Sequence, residues 1–379
     1  MEFRLSDDQK ALVGAANAFA AELSAKTDYA GDMPRDLWTL WGEQRWLGAC
    51  IPEALGGMGH DALSTVLTFE AMGRAGVPRG QLFAVGAHLF GCTVGIARHG
   101  SDAQRENWCP RLSAGEAVGA LAFTDPGGGS NLDACATAIR VEDDELRLDG
   151  SKTFVTNGAH ADVFVVLAAS DDRKPPFNLS VVLVPRDTDG LAIEPLQGVT
   201  GLHQTHPARI TLTDCRLPAD AVLGRVGGGM AVLLDIMRWE RSCILAGLLG
   251  ALERDLVATS GYLESRGSAE KAAAQFQAVS HALARVRVEI ESARWLMYRA
   301  AAELDGDGGS LIFAAMSKLA TSETLVECGL ALQRLAAGHG WTGGLGLAEA
   351  LNDAIGTLSA SGTSEAQLNM IYSQLQREL

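Results

Sequence analysis

The chain has 379 residues, 47% of them hydrophobic and 20% charged, which suits a globular protein of two or three domains with real cores. A formal net charge of −15 argues against sequence-independent nucleic-acid binding, which rests on Lys and Arg neutralising phosphates, and against a polybasic membrane-surface protein. A local basic pocket for a phosphorylated ligand stays open.

The N-terminal MEFRLSDDQK lacks the apolar core of a signal peptide, and the run ILAGLLGAL (244–252) is too short to cross a bilayer. Residues 1–118 read as helical. Ser6 and Gln9 stand at capping-box spacing before a helix that runs through Ala20. Further helical patterns cover 61–75, 80–98 and 102–112.

Residues 119–224 change period. LRLDGSKTFVTNG carries alternating residues joined by Asp149-Gly150, a hairpin signal. The short runs 162–169, 179–185, 191–196 and 208–214 are rich in β-branched residues and bounded by turn formers. This spacing predicts an antiparallel sandwich or barrel. No βαβ alternation and no Gly-x-Gly-x-x-Gly opens a helix, so a Rossmann domain is disfavoured.

Residues 225–379 are helical again. Phe276, Val279, Leu283, Val286, Ile290, Ala293, Met297 and Ala300 recur in steps of three and four, the seam of a bundle. Helices are also expected from Leu345 to Ile355 and from Ser364 to Leu379, broken by LSASGTSEAQ (358–367). Seven scattered cysteines without a Cys-x-x-Cys pair read as buried apolar residues in a reducing cytoplasm. His203 and His206 have no third ligand near them in sequence, so no metal site is expected.

Two stretches of the middle zone suit ligand chemistry. In LAFTDPGGGSNLD (121–133) consecutive glycines let backbone N–H groups approach a ligand, with Ser130 as a donor. In GSKTFVTNGAHADVFVV (150–166) an aromatic, a Thr and an Asn-Gly turn stand together at a strand end. With GLHQTHPARITLTDCRLPADAVLG, MRWERSCILAGLLGAL, AAGHGW and LNDAIGTLSASGTSE, in this three-zone order, the chain resembles the acyl-CoA dehydrogenase family of flavoproteins over essentially its whole length. The resemblance implies an α+β fold with an N-terminal helical domain, a middle β domain and a C-terminal four-helix-type bundle.

It also implies FAD and an acyl-thioester substrate, carried on CoA or on an acyl-carrier protein. Phe154, Val155 and Thr156 match the segment lining the flavin ring, with Thr156 toward N5. Phe123 and Thr124 match partners of the pyrimidine edge. Gly129 and Ser130 match the turn near substrate and pyrophosphate. Arg266 and Gln277 match residues that reach the adenine half of a neighbour's FAD, and Thr363 matches a C-terminal loop residue beside the dinucleotide. Sharing of this kind implies a homodimer or homotetramer. Electrons would leave to an electron-transfer flavoprotein or another acceptor.

The family's common base directly precedes the C-terminal Gly-Thr, and here that position is Ser361, whose hydroxyl cannot take a proton from a carbon acid unaided. A branch that includes isovaleryl- and long-chain-type enzymes instead carries its glutamate before an Arg, as Glu240 precedes Arg241 here. Glu240 is therefore expected to be the base. Arg241 orients substrate or base, or pairs between helices; the Ser361 N–H is expected to hold the thioester carbonyl. Departures are Ala269 and Glu270 in place of a Phe-Gly pair, Ala337-Gly338 in place of Gly-Gly, Asp125 in place of Glu, and Arg334 in place of a Gln, where it offers a phosphate partner. Rival readings are a flavin-dependent monooxygenase or oxidase on the same fold, or a non-catalytic subunit completing a partner's FAD site.

Overall fold

The computed structural model describes residues 4–26, 32–129, 131, 135–142, 145–170, 174, 177–266, 272–306 and 309–378. The N-terminal part holds helices α1 (Asp7–Lys26), α2 (Arg35–Glu43), α3 (Ala62–Ala75), α4 (Arg79–Gly86), α5 (Val94–His99) and α6 (Asp102–Ser113). The expected capping box starts α1: Ser6 N–H donates to Gln9 Oε1 and Gln9 N–H to Ser6 Oγ, each at 3.1 Å. Between α4 and α5 the chain does not break but widens into a π-helical segment, Ala87–Thr93. The stretch Arg79–His99 is long and apolar enough to cross a membrane, yet it is almost wholly buried within the protein body.

The middle part is one seven-stranded mixed sheet: β1 (Gly119–Ala122), β2 (Ala138–Glu142), β3 (Glu145–Val155), β4 (Val163–Ala169), β5 (Leu179–Pro185), β6 (Leu191–Pro195) and β7 (Ala208–Pro218). The order is β1-β4-β2-β3-β7-β6, with β5 also on β4. Most pairs are antiparallel, as expected. Two are parallel, however: β1 with β4 along four residues, and β2 with β4 at Ala138 opposite Ala169. A pattern of alternating residues carries no strand direction, so these pairs were not legible. In β4, Val163, Val165 and Leu167 face the main core, while Phe164, Val166 and Ala168 face a second core inside the sheet. A strand buried on both faces reads as a continuous apolar run.

The expected hairpin at Asp149-Gly150 does not form. β3 runs straight through it, paired with β2 on one side and β7 on the other, with a register shift between Leu148 and Gly150. Gly150 has φ +148°, and a methyl there would lie 2.6 Å from Thr137 Cα, so the glycine serves a bulge rather than a turn.

The C-terminal part comprises α7 (Gly229–Cys243), α8 (Ala246–Ser265), α9 (Gln277–Leu304), α10 (Leu311–Ala336), the short α11 (Gly338–Trp341), α12 (Leu347–Thr357) and α13 (Ser364–Glu378). The α9 seam is buried at Val286, Ile290, Ala293, Met297 and Ala300, with Leu283 packed against the core. Phe276, at the start of the expected stripe, is exposed. Where α3 meets α8, a methyl on Gly73 would strike Gly247 O at 1.8 Å and one on Gly250 would strike Glu70 O at 2.0 Å, so small residues let the two backbones touch. Beside that crossing, Arg294 donates to Glu70 at 2.7 Å and to Glu253 at 2.6 Å, and Tyr298 Oη donates to Glu70 at 2.5 Å. All seven cysteines are free and five are buried.

Ala337 ends α10 at φ +51°, ψ −128°, a conformation natural to glycine alone. Such strain costs about 1–3 kcal/mol, partly offset by the extra unfolded-state freedom of glycine. Ala337→Gly is expected to raise the Tm by about 1–3 °C in calorimetry; an unchanged or lowered Tm would show that the residue is unstrained.

Candidate active site

Helix α7 turns its C-terminal half into the protein. Glu240 is 6% exposed and Arg241 9%. Three glycines of the α4–π–α5 rod face α7. Methyls placed on them would lie 3.1 Å from Ile244 (Gly86), 3.1 Å from Glu240 Oε1 (Gly91) and 2.8 Å from Ile236 (Gly95). The partners on α7 are spaced four and four, whereas the glycines are spaced five and four. The extra residue falls in the π segment, and it keeps Gly91 opposite the carboxylate. His88 anchors that segment. Its Nδ1 accepts from Gly119 N–H at 3.0 Å, so Nε2 carries the proton and donates to Leu112 O at 3.2 Å. Burial holds its pKa down to about 4, which keeps the ring neutral.

The loop between α12 and α13 closes over Glu240. Ser361 sits at φ +53° and its hydroxyl donates to Glu240 Oε2 at 3.1 Å. The Ser361 carbonyl accepts from Arg241 Nε at 2.9 Å and from Gln367 Nε2 at 3.3 Å. Gly362 follows at φ +96°, and Thr363 Oγ1 accepts from Ala366 N–H at 3.3 Å to cap α13. Burial raises the Glu240 pKa to about 7, against the opposing pull of the Ser361 hydroxyl and the Arg241 charge. The alternatives for Arg241 narrow accordingly: its guanidinium ties the Ser361 loop to the helix that carries the carboxylate.

The glycine turn and the end of β3 lie side by side. Thr153 N–H donates to Thr124 O at 2.8 Å. Beneath them Lys152, fully buried, donates from Nζ to Phe123 O at 3.2 Å and to Asp125 Oδ1 at 2.8 Å. Thr137 Oγ1 donates to the same Asp125 oxygen at 2.7 Å. These bonds depress the Asp125 pKa despite the opposing effect of burial, so the Asp in place of the family Glu keeps its charge. Phe154 is held at φ +54° with 72% of its surface exposed, while Val155 is buried and Thr156 half-buried. Methyls on Gly127 and Gly128 would meet nothing within 4 Å, and one on Gly129 would meet Thr124 Oγ1 at 2.9 Å. An exposed aromatic ring on strained backbone, beside an open glycine turn, is the surface a flat ring system with a phosphate tail would cover. Ser130, Ala269 and Glu270 lie outside the described residues.

The residues matched to a neighbour's cofactor sit elsewhere, on the bundle. Arg266, Gln277, Arg334 and Gly338 are all exposed. Arg266 donates to Tyr262 Oη at 2.7 Å, and the Tyr262 ring packs edge-on to His339 at 4.9 Å, which places Arg266 and Gly338 on one surface. Sequence reasoning missed three groups: His88, Lys152 and the cluster Asp32, His160 and His206. In that cluster the ligand atoms lie within 4.8 Å of one another, His206 Nε2 is 2.9 Å from Asp32, and the two rings meet edge to face. Histidine spacing could not reveal it, because the partners come from positions 32 and 160. Arg35 and Arg186 stand close enough to help lower the pKa of His160.

Family models match three consecutive segments: acyl-CoA dehydrogenase N-terminal domain at 6–116, middle domain at 120–215 and C-terminal domain at 227–376. The chain is 34% identical to the L-prolyl-[peptidyl-carrier protein] dehydrogenase of Pseudomonas fluorescens, over 99% of this chain and 100% of that protein. Among solved structures it resembles the prolyl acyl carrier protein oxidase AnaB, at a TM-score of 0.94 and 28% identity, covering 98% of this chain and 100% of that one. It also resembles PigA with FAD and proline, at a TM-score of 0.91 and 29% identity, covering 99% of each.

A carboxyl whose pKa is raised on folding favours the folded state while protonated. That contribution is present below the ordinary value of 4.5 and is lost as pH rises through about 7. At pH 8 the buried charge of Glu240 costs about 3 kcal/mol. Glu240→Gln should therefore stabilise the protein at pH 8 and change little at pH 5, read as Tm at each pH. A Tm difference independent of pH would contradict the raised pKa.

Proposed function

The chain belongs to the acyl-CoA dehydrogenase family, FAD-dependent oxidoreductases acting on CH–CH donors, and from that premise we propose an α,β-dehydrogenase for a carrier-bound L-prolyl thioester, with Glu240 as the base. The observation that carries the base assignment is the buried Glu240 carboxyl, met by the hydroxyl of the residue that stands where the family's common base would be. The prolyl and carrier parts of the reading are supported by the names of the Pseudomonas fluorescens relative and of AnaB, and by the proline bound to PigA.

In this reading Phe154, Val155 and Thr156 lie along the flavin ring, with Phe123 and Thr124 at its edge and Gly129 and Thr363 toward the dinucleotide. The exposed Phe154 and the open glycine turn fit such a ring. FAD, when bound, supplies the acceptor for the β-hydride. Glu240 takes the α-proton. Its pKa of about 7 lets it ionise near neutrality yet remain a base strong enough to accept from carbon. The Ser361 hydroxyl holds one carboxylate oxygen and leaves the other for the substrate, and the Ser361 N–H donates to the thioester carbonyl, where enolate charge develops. Gly91 leaves room beside Oε1.

Arg266, Gln277, Arg334 and Gly338 of one subunit reach the adenine half of its neighbour's FAD, so two copies complete each site and a homodimer or homotetramer follows. Arg334 pairs with phosphate, offsetting the loss of the aromatic at Ala269. Electrons pass to an electron-transfer flavoprotein. A second reading, direct transfer to oxygen, is favoured by the word oxidase in the description of AnaB.

Anaerobic mixing tests both substrate and base. Carrier-bound L-prolyl thioester should bleach the flavin, and Glu240→Gln should slow bleaching by about 10³-fold. Faster bleaching by acyl-CoAs would refute the carrier reading; parent-rate bleaching by Glu240→Gln would refute the base. For the parent, kcat/KM should rise with pH through about 7, as the carboxyl ionises. Recolouring on admission of air, without an electron-transfer flavoprotein, would favour oxygen as acceptor.

A further inference from the structure

Lys318 lies on α10 and is 1% exposed, one of the largest fully buried side chains. Among the described residues its ammonium has no carboxylate within ion-pair distance. Its hydrogen bond goes to the Leu358 carbonyl, at 2.9 Å. The charged groups facing it are Arg241 from α7, Glu323 from its own helix and Glu365 from α13. Burying a lysine without an ion partner is expensive, and an apolar residue would fill this space at less cost.

The position of the Leu358 carbonyl explains the lysine. α12 ends at Thr357, so Leu358 is at a helix C-terminus, where carbonyls lack partners and a cation is favoured. Three residues on, Ser361 delivers its hydroxyl to Glu240. At the far end of the loop Ser364 Oγ donates to Glu323 at 2.5 Å. Both ends of the loop are thus held from α10, five residues apart, and its middle is held by Arg241 and Gln367.

We propose that Lys318 is a positioning residue for the base: by fixing the Leu358 carbonyl it sets where the Ser361 hydroxyl meets Glu240. The inference rests on the reading of Glu240 as base. It makes a directional claim, because the Ser361 bond favours the ionised carboxylate. Loosening that bond raises the pH at which the base becomes active. Burial brings the Lys318 pKa itself down to about 8, so the ammonium form is present at neutral pH.

The test uses the FAD holoenzyme, with anaerobic reduction by carrier-bound L-prolyl thioester followed from pH 6 to 9. Lys318→Met should shift the midpoint of the rate profile upward by about one pH unit, the worth of one hydrogen bond. It should recover most of the parent rate at pH 9 and leave KM nearly unchanged. Ser361→Ala should give the same shift, the double variant no more than either single one, and Lys318→Arg the parent profile. A Lys318→Met profile that superimposes on the parent overturns the proposal, as does a shift that adds in full to that of Ser361→Ala. If Lys318→Met does not fold, Lys318→Gln is read against the same two outcomes. Glu240→Gln distinguishes the failures: bleaching at the parent rate removes the base reading itself, whereas loss of bleaching with an unmoved Lys318→Met profile removes Lys318 alone.

Discussion

The hydrogen bond from Ser361 to Glu240 joins residues 121 positions apart, and it depends on nearly every element around it. A carboxyl this deeply buried resists ionisation, because charge in a poorly solvated site is costly. One hydroxyl and a guanidinium set slightly aside soften that cost without abolishing it. A bidentate ion pair would have pinned the carboxylate in its charged form and left a feeble base. The arrangement keeps the proton affinity high while still choosing which oxygen is free.

Holding it requires rigid supports on two sides. On one side stands the neutral His88, which locks the first strand of the sheet to the π segment opposite Glu240. On the other stands the loop after α12, whose backbone takes two positive-φ residues in succession, Ser361 and Gly362. Backbone of that kind persists only when surrounding contacts over-determine it. Here Arg241 and Gln367 both close on a single carbonyl. The buried charges of Glu70, Arg294 and Glu253 perform a similar service further out, fixing α3, α8 and α9 relative to one another.

Much of this was legible in the sequence. The helical and strand zones, the capping box at Ser6, the flavin-type stretches and the pairing of Ser361 with Glu240 all follow from local pattern or from family motifs. Those signals live within a few dozen residues of one another, or in motifs whose partners are known as types. What escaped depends on direction and distance. The parallel pairs of β4 need the path of the chain. Gly150 has the residue type of a hairpin, but β7 arrives to pair with the strand and keeps it extended. Lys152 and His88 look like unremarkable polar residues in their stretches, and only the fold shows that their partners are backbone groups of other segments.

The π segment is the feature with the widest consequence. A single surplus residue between Gly86 and Gly91 is what aligns three glycines with α7. Removing it would restore an unbroken α-helix, which is locally better hydrogen-bonded. It would also rotate one half of the rod against the other by about 100°. The glycine gap beside Glu240 would then be filled by a side chain. Chain length at this point is therefore itself an active-site property. Relatives that differ by one residue here would differ in what their chamber admits, even with the same lining side chains.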